Sequence, residues 1–469
     1  MSQSIARYVL RSVSSFLKSF HPRALPLMAR LGYQRELFSW SFISLLLGTL
    51  QAGTIAIFLK KTFADVEGIS PAQLDFAVSI VAASKSVGFL ISFAWVSLSR
   101  GRRKVQLMVW LQLATACFVA LIALAPRTST GMWSVVVLCI SAWTIWSGVT
   151  TLRSRVWRAN FRANYRPRVT GRLATMQALI IAACGVLIGR SLDFDVRSYH
   201  VLFPLLAFMG AIGALLFWRI PFRRESAHLE QERTTDARHL ASPMLIARVL
   251  AEDKWYRGYL ICMFTMGFGN LMLHPILAIA LTDMFDVGYQ QGIVITTVIP
   301  LVCMTFAIPF WSRRLERMHV IEYRAVHVWS FAVVSSLVLL GVGLGQIGWL
   351  YLAAVATGVG WGGGVLAWNL GHQHFAPPDR ETEYMSTHIT LTGIRGVIGP
   401  IMGVQLYTML SARGWQLGAL MICFGICLFV NVAGALGFVY LASRLRKSRA
   451  QEAPEDVIEQ EEPELVLTK

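Results

Sequence analysis

Residues 390–403 read TLTGIRGVIGPIMG, which sets Arg395 inside a run that is otherwise apolar and long enough for a membrane helix. A guanidinium keeps its proton at any accessible pH, and holding one near a bilayer centre costs on the order of 2.5 to 3.5 kcal/mol even on lenient insertion scales. On a helix Gly393, Gly396, Pro400 and Gly403 recur at the three-and-four spacing of one face, while His388, Thr392, Arg395 and Gly399 form the face beside it. The small face suits close helix packing. The arginine face is expected to look into a polar cavity, which points to a membrane transporter and away from an enzyme.

Composition carries that reading to the whole chain. Of 469 residues, 55% are hydrophobic and only 15% charged, and the mean hydropathy is +0.54, values that fit a polytopic helical protein and not a soluble one. The formal charge of +17 would suit nucleic acid, but the basic residues stand in short clusters between apolar runs, a pattern that membrane topology accounts for. The 7 cysteines all lie in apolar runs without paired metal spacing and read as small buried hydrophobes. No motif for a nucleotide, metal or other cofactor is present. The glycine-rich run around Trp361 is not followed by the Lys-Ser or Lys-Thr of a phosphate loop.

In chain order, residues 1–36 form an acid-poor arm. Ile5, Val9, Val13, Phe16 and Phe20 recur at helical spacing opposite Arg7, Arg11 and Lys18, as in an interfacial amphipathic helix or an organellar transit peptide. Residues 37–220 hold the first six apolar runs, beginning with Leu37–Leu59 and Leu74–Leu98. Residues 221–255 are a polar linker, residues 256–441 hold six more runs, and residues 442–469 turn from basic to acidic and read as a disordered tail. The expected fold is all-α integral membrane, with about twelve transmembrane helices in two pseudo-symmetric bundles of six. The N-terminal arm, the even-numbered loops and the tail carry about 35 of the 43 Lys and Arg, the odd-numbered loops about 6. That bias predicts an inner-membrane, multi-pass protein with both termini cytoplasmic. A single displacement lays Trp157 on Trp368, Pro167 on Pro378 and Gly185 on Gly396, the mark of two halves repeated in the same orientation.

The chain at this point resembles the major facilitator superfamily over residues 37–441, in its span count, central linker and predicted cytoplasmic termini. Gly101, Arg102, Arg103 and Lys104 are similar to the back half of the family's loop motif between helices two and three, although Leu98 and Ala94 stand where its aspartate and first glycine belong. Arg168 and Gly171-Arg172 also look like the family's pattern at the fifth helix. Gly399 and Pro400, with their neighbouring glycines, are similar to the hinge motif of family antiporters, displaced here from the fifth span to the eleventh. The resemblance implies a central cavity lined by helices one, two, four, five, seven, eight, ten and eleven that opens alternately to either side.

Within that frame two cations stand out. Lys85 lies about eleven residues, or roughly 16 Å, from each end of its span, beyond the reach of snorkelling. It is expected to meet an anionic substrate or exchange a proton, or else to be held by backbone carbonyls. Arg395 is expected to bind the same anion from the other half, or else to clamp carbonyls of a neighbouring helix. No carboxylate falls near a predicted span midpoint; Asp75, Asp193 and Asp283 are placed at span ends. An anionic small molecule would supply the missing counter-charge. Asn270, His274, Gln51, Thr392 and Trp361 complete the expected substrate site, and Trp368 reads as an interfacial anchor. The functions in view are transport of a small organic anion, export of lipophilic drug-like compounds, and a transport-dead scaffold or receptor of the same fold. The expected partners are that small molecule and the bilayer, not nucleic acid.

Overall fold

The structure, a computed structural model, describes residues 20–162, 166–234, 243–377 and 380–452. Twelve helices are long and apolar enough to cross a membrane, and no strand occurs among the described residues. They are α1 (Leu27–Thr62), α2 (Pro71–Leu98), α3 (Lys104–Ile122), α4 (Ser129–Asn160), α5 (Arg166–Phe194), α6 (Tyr199–Phe217), α7 (Lys254–Asp283), α8 (Tyr289–Leu315), α9 (Val320–Leu344), α10 (Ile347–Leu370), α11 (Glu381–Ser411) and α12 (Gln416–Glu452). Two short helices, Glu225–Thr234 and Pro243–Glu252, lie between α6 and α7. The amphipathic pattern over residues 1–19 and the acidic tail from residue 453 lie outside the described residues.

Local chemistry fixes the helix ends. Ser70 and Gln73 bond each other's backbone N–H groups as a capping box, with Pro71 opening α2. Asp253 accepts from the Tyr256 N–H at 2.8 Å at the start of α7. Gly345, at φ +64, ends α9 in the left-handed conformation that costs glycine least. Several helices outrun their apolar stretches. α1 begins ten residues before Leu37 and α9 begins at Val320, because hydropathy marks the hydrocarbon slab while the backbone goes on bonding beyond it.

The packing repeats between the halves. α1 packs on α5 and α6, α3 on α4 and α6, and α2 on α4; in the second half α7 packs on α11 and α12, α9 on α10 and α12, and α8 on α10. Each pair recurs six helices later. The halves meet along two matching seams, α2 with α11 and α5 with α8, and α7 also touches the outer piece of α1. Large apolar side chains such as Phe208, Phe306 and Phe429, each more than 60% exposed, point outward from the bundle, as a lipid-facing surface requires.

Two spans depart from the continuous helix that hydropathy predicts. α1 breaks after Thr49: Leu50 has ψ 0° and Gln51 is extended before a new helix starts at Ala52. The Thr49 hydroxyl bonds back to Leu46 O at 2.7 Å, a competitor for the helical ladder. α8 widens into a π-turn over Val294–Val298. Pro300 has no N–H to give Thr296 O, which removes the bond that would hold a regular turn there. The two irregularities face each other, since a β-carbon on Gly53 would lie 2.6 Å from Thr296 Oγ1. The backbone loosened by the break is thus covered by protein, as its depth demands.

Candidate functional site

The α2–α11 seam is built on glycine. A β-carbon on Gly396 would lie 2.7 Å from Ser86 Cβ, and one on Gly393 2.9 Å from Leu90 Cδ2. Gly399 and Gly403 instead face α7, where a β-carbon on each would lie 3.3 Å from Phe268 O and 2.5 Å from Met272 Cγ respectively. The small face of the sequence therefore serves two partners and seats α11 between them. Pro400 lies buried on the same helix.

Lys85 and Arg395 are chain neighbours of the contact pair Ser86 and Gly396, so the seam brings them to one level from opposite halves. Their side chains diverge. Lys85 is exposed, and its ammonium stands 5.3 Å from the Trp143 ring centre on α4 and 6.0 Å from that of Phe89, within cation–π range. Arg395 is 7% exposed and turns toward α7, where its Nη1 donates to Met263 O. Gly267 makes the space: a β-carbon there would lie 2.8 Å from Arg395 Nε. Arg395 Nε has no hydrogen-bond partner, nor has Nε2 of His388, which is 3% exposed. With Thr392 these two line a small recess otherwise walled by Leu260, Met263, Phe264 and Leu391. The recess is more apolar than the cavity the sequence led us to expect.

The other expected residues form a second group. His274 of α7 and Trp361 of α10 bring their rings to 5.6 Å. Asn270 lies one turn before His274, and both are half-buried. Gln51 sits at the α1 break, half-buried, and its side chain does not cap the helix that follows. Gly101, at φ +64, turns the chain between α2 and α3, with Arg102 and Arg103 exposed. Lys104 is buried there and gives its ammonium to Ser99 O at 2.6 Å and Arg102 O at 3.2 Å, a cation at the carbonyl end of α2. Trp368, read as an interfacial anchor, stacks on Phe89 of α2 at 6.1 Å and so ties the halves together.

Several charged groups, or the partners of charged groups already noted, escaped the sequence reading. Glu36, fully buried in α1, accepts from Trp157 Nε1 at 2.7 Å and lies 4.0 Å from Arg153. It precedes the apolar run by one residue, so hydropathy left it outside the span. Arg324 of α9 is 1% exposed and gives Nη1 to His327 Nδ1 at 3.2 Å, while His327 Nε2 bonds Gly360 O at 2.8 Å. At the end of the bundle away from Arg324, Lys60 of α1 meets Asp75 of α2 at 2.5 Å and Asp283 of α7 at 2.8 Å. Lys61 donates to Val287 O at 2.6 Å. Asp193 of α5 accepts from the N–H groups of Tyr289 and Gln290, at 2.6 and 2.8 Å, where α8 begins. At that end several bonds join the halves. Among the described residues no carboxylate pairs with Lys85, Arg395 or Arg324.

With this geometry in hand, the chain can be set beside known proteins. The sequence pattern of the Major Facilitator Superfamily matches residues 37–400. No curated protein matches by sequence. Among solved structures, the nucleoside transporter NupG superposes at a TM-score of 0.61 with 15% identity, covering 87% of this chain and 99% of its own. The human organic anion transporter MFSD10 does so at 0.60 with 14% identity, covering 88% and 100%. A D-xylose-proton symporter gives 0.61 with 13% identity, covering 86% and 96%. At these identities the likeness carries the fold alone.

Proposed function

From the premise that this chain belongs to the Major Facilitator Superfamily, we propose that it moves a small organic anion across a membrane by alternating access. The observation that carries the reading is the placement of Lys85 and Arg395. They flank one contact between the halves, and neither has a carboxylate partner among the described residues. Because the two side chains diverge in this form, an anion would be held from both halves at once when they turn toward the seam, and released when the seam parts. The rings of Phe89 and Trp143 beside Lys85 favour a cargo with an apolar body behind its charged group. His274, Trp361, Asn270, Gln51 and Thr392 are assigned to the cargo's body. Gly101 to Lys104 and the Gly399-Pro400 step are assigned to the conformational change.

In this account the structure is the form closed at the Lys60 end. Opening that end breaks Lys60–Asp283, Lys61–Val287 and the Asp193 cap together, since each joins the halves. The basic loops lie in the cytoplasm and the protein resides in the inner membrane, with both termini inside.

Reconstituted vesicles test the reading. Labelled organic carboxylates and sulfonates are expected to enter, with uptake abolished in Lys85→Ala and Arg395→Ala and retained in Arg413→Ala, which changes an exposed cation in the turn after α11. Efflux of neutral lipophilic dyes that ignores both Lys85 and Arg395 would replace this reading with a drug exporter, and absence of any flux would leave a scaffold.

A further inference from the structure

The outer face of the α1–α6 seam ends, away from Lys60, in a rim of arginines. Contacts at three levels fix the register of the two helices. Ser39 Oγ donates to Gly213 O at 2.7 Å, Arg35 Nη1 to Arg219 O at 2.5 Å, and Arg223 Nη2 to Met28 O at 2.6 Å. Arg35 and Arg219 therefore share one level. Phe38 and Leu215 lie one turn further into the bundle on the same two helices, and both are more than half exposed. Trp218, next to Arg219, is exposed as well and meets Trp110 of α3 edge-on at 6.4 Å. A guanidinium carries several N–H donors in a planar fork, and the bond between Arg35 and Arg219 takes only a carbonyl from the second residue, whose side chain is exposed. Among the described residues no carboxylate pairs with Arg35, Arg219 or Arg223. The second half matches its own basic end differently: Arg446 and Arg449 of α12 lie 3.0 and 3.9 Å from Glu322 of α9.

We propose that this rim binds an anionic phospholipid, with Arg35 and Arg219 on the headgroup phosphate and Phe38 and Leu215 along the acyl chains. The stacking of the two levels selects the occupant. Guanidinium forks suit the oxygens of a phosphate, and one turn below them two exposed apolar side chains face outward from the bundle. A free phosphate would use the first level and leave the second bare, while a neutral lipid would use the second and leave the charges unmatched. An anionic lipid meets both. Trp218 stands at the boundary between them, where indole rings favour the membrane surface. The rim contains neither Lys85 nor Arg395 and so is independent of the transport reading.

Purified protein in mild detergent, titrated with dioleoyl-phosphatidylglycerol and followed by native mass spectrometry, is expected to retain a lipid that dioleoyl-phosphatidylcholine does not displace. Arg219→Gln is expected to weaken its binding roughly fivefold, and Arg35→Gln combined with Arg219→Gln roughly twenty-five-fold. Arg313→Gln, which removes an exposed cation at the same end of the second half, is expected to leave the affinity unchanged. Arg219 serves the seam through its carbonyl, which glutamine keeps, so the single variant decides should the double variant not fold. Equal affinity in wild type and Arg219→Gln, or an equal fall in Arg313→Gln, would overturn the site, since net charge alone would then account for the binding. Displacement of the lipid by sodium phosphate at constant ionic strength would overturn it in favour of a free anion. Equally tight binding of phosphatidylcholine would overturn it in favour of an unselective acyl groove.

Discussion

Arg153 in the first half and Arg395 in the second are both guanidiniums set among helices, and the protein treats them in opposite ways. Arg153 lies over Trp40 at 3.2 Å and Trp157 at 4.1 Å from the ring centres, with Glu36 at 4.0 Å. Its charge is screened by aromatic faces and matched by a carboxylate that Trp157 itself holds in place. Arg395 has a backbone carbonyl, a glycine seat and another arginine within electrostatic reach. A charge supplied with its own counter-ion belongs to the scaffold. A charge left with spare donors is available to something that arrives.

The sharpest way to break the comparison is to make the first half resemble the second. Glu36→Gln leaves Arg153 buried and unpaired, and is expected to cost about 3 to 5 kcal/mol in thermal or denaturant unfolding. Replacing both partners, Glu36→Gln with Arg153→Leu, should recover most of it; failure to recover would mean the pair does more than balance charge. The converse change, Arg395→Ala, should lower anion uptake roughly 30-fold or more while the fold survives, since a desolvated charge contact contributes about 2 to 5 kcal/mol. If unfolding temperature fell and uptake per folded molecule did not, Arg395 would be a clamp like Arg153. Asp193→Ala removes the cap that α5 supplies to α8, worth about 1 kcal/mol. It should raise labelling of a Thr62→Cys reporter at the Lys60 end about fivefold.

The smallest expected effect concerns pH. His319, in the turn before α9, is pushed down to about 4 by burial first and then by His374 and Arg449. Its folded value lies below the ordinary 6.5, so its contribution is full above pH 6.5 and is lost as pH falls from 6.5 toward 4. The group is partly exposed, which limits the effect to less than about 1 kcal/mol after screening. His319→Asn should flatten the unfolding midpoint between pH 4 and 6.5 by that small amount.

Much of the architecture is written locally. Apolar runs and the alternation of basic loops announce the twelve spans, because a bilayer imposes the same length and charge bias on every helix. Lys85 and Arg395 are legible for the same reason, since their cost in lipid marks them without any partner being known. What the sequence hides depends on contacts between distant segments. Glu36 looked like the end of a polar arm until α1 extended beneath it, and Asp75 and Asp283 looked like ordinary span ends until Lys60 drew both in. The break in α1 is equally silent. Thr49 and Gly53 draw no notice in order and Gln51 is marked only as a polar group for cargo, and only the π-turn of α8, placed opposite by the seams, gives the interruption a surface to rest on.

The seat beneath Arg395 bears on how such a chain diverges. Even alanine at Gly267 would put a methyl where the guanidinium lies, so residue and vacancy are inherited as one unit. A descendant that retains the arginine is bound to retain the glycine, whereas one that sheds it is released to fill the gap with any apolar side chain. Co-loss of the two across an alignment would date the abandonment of the charge without any knowledge of cargo.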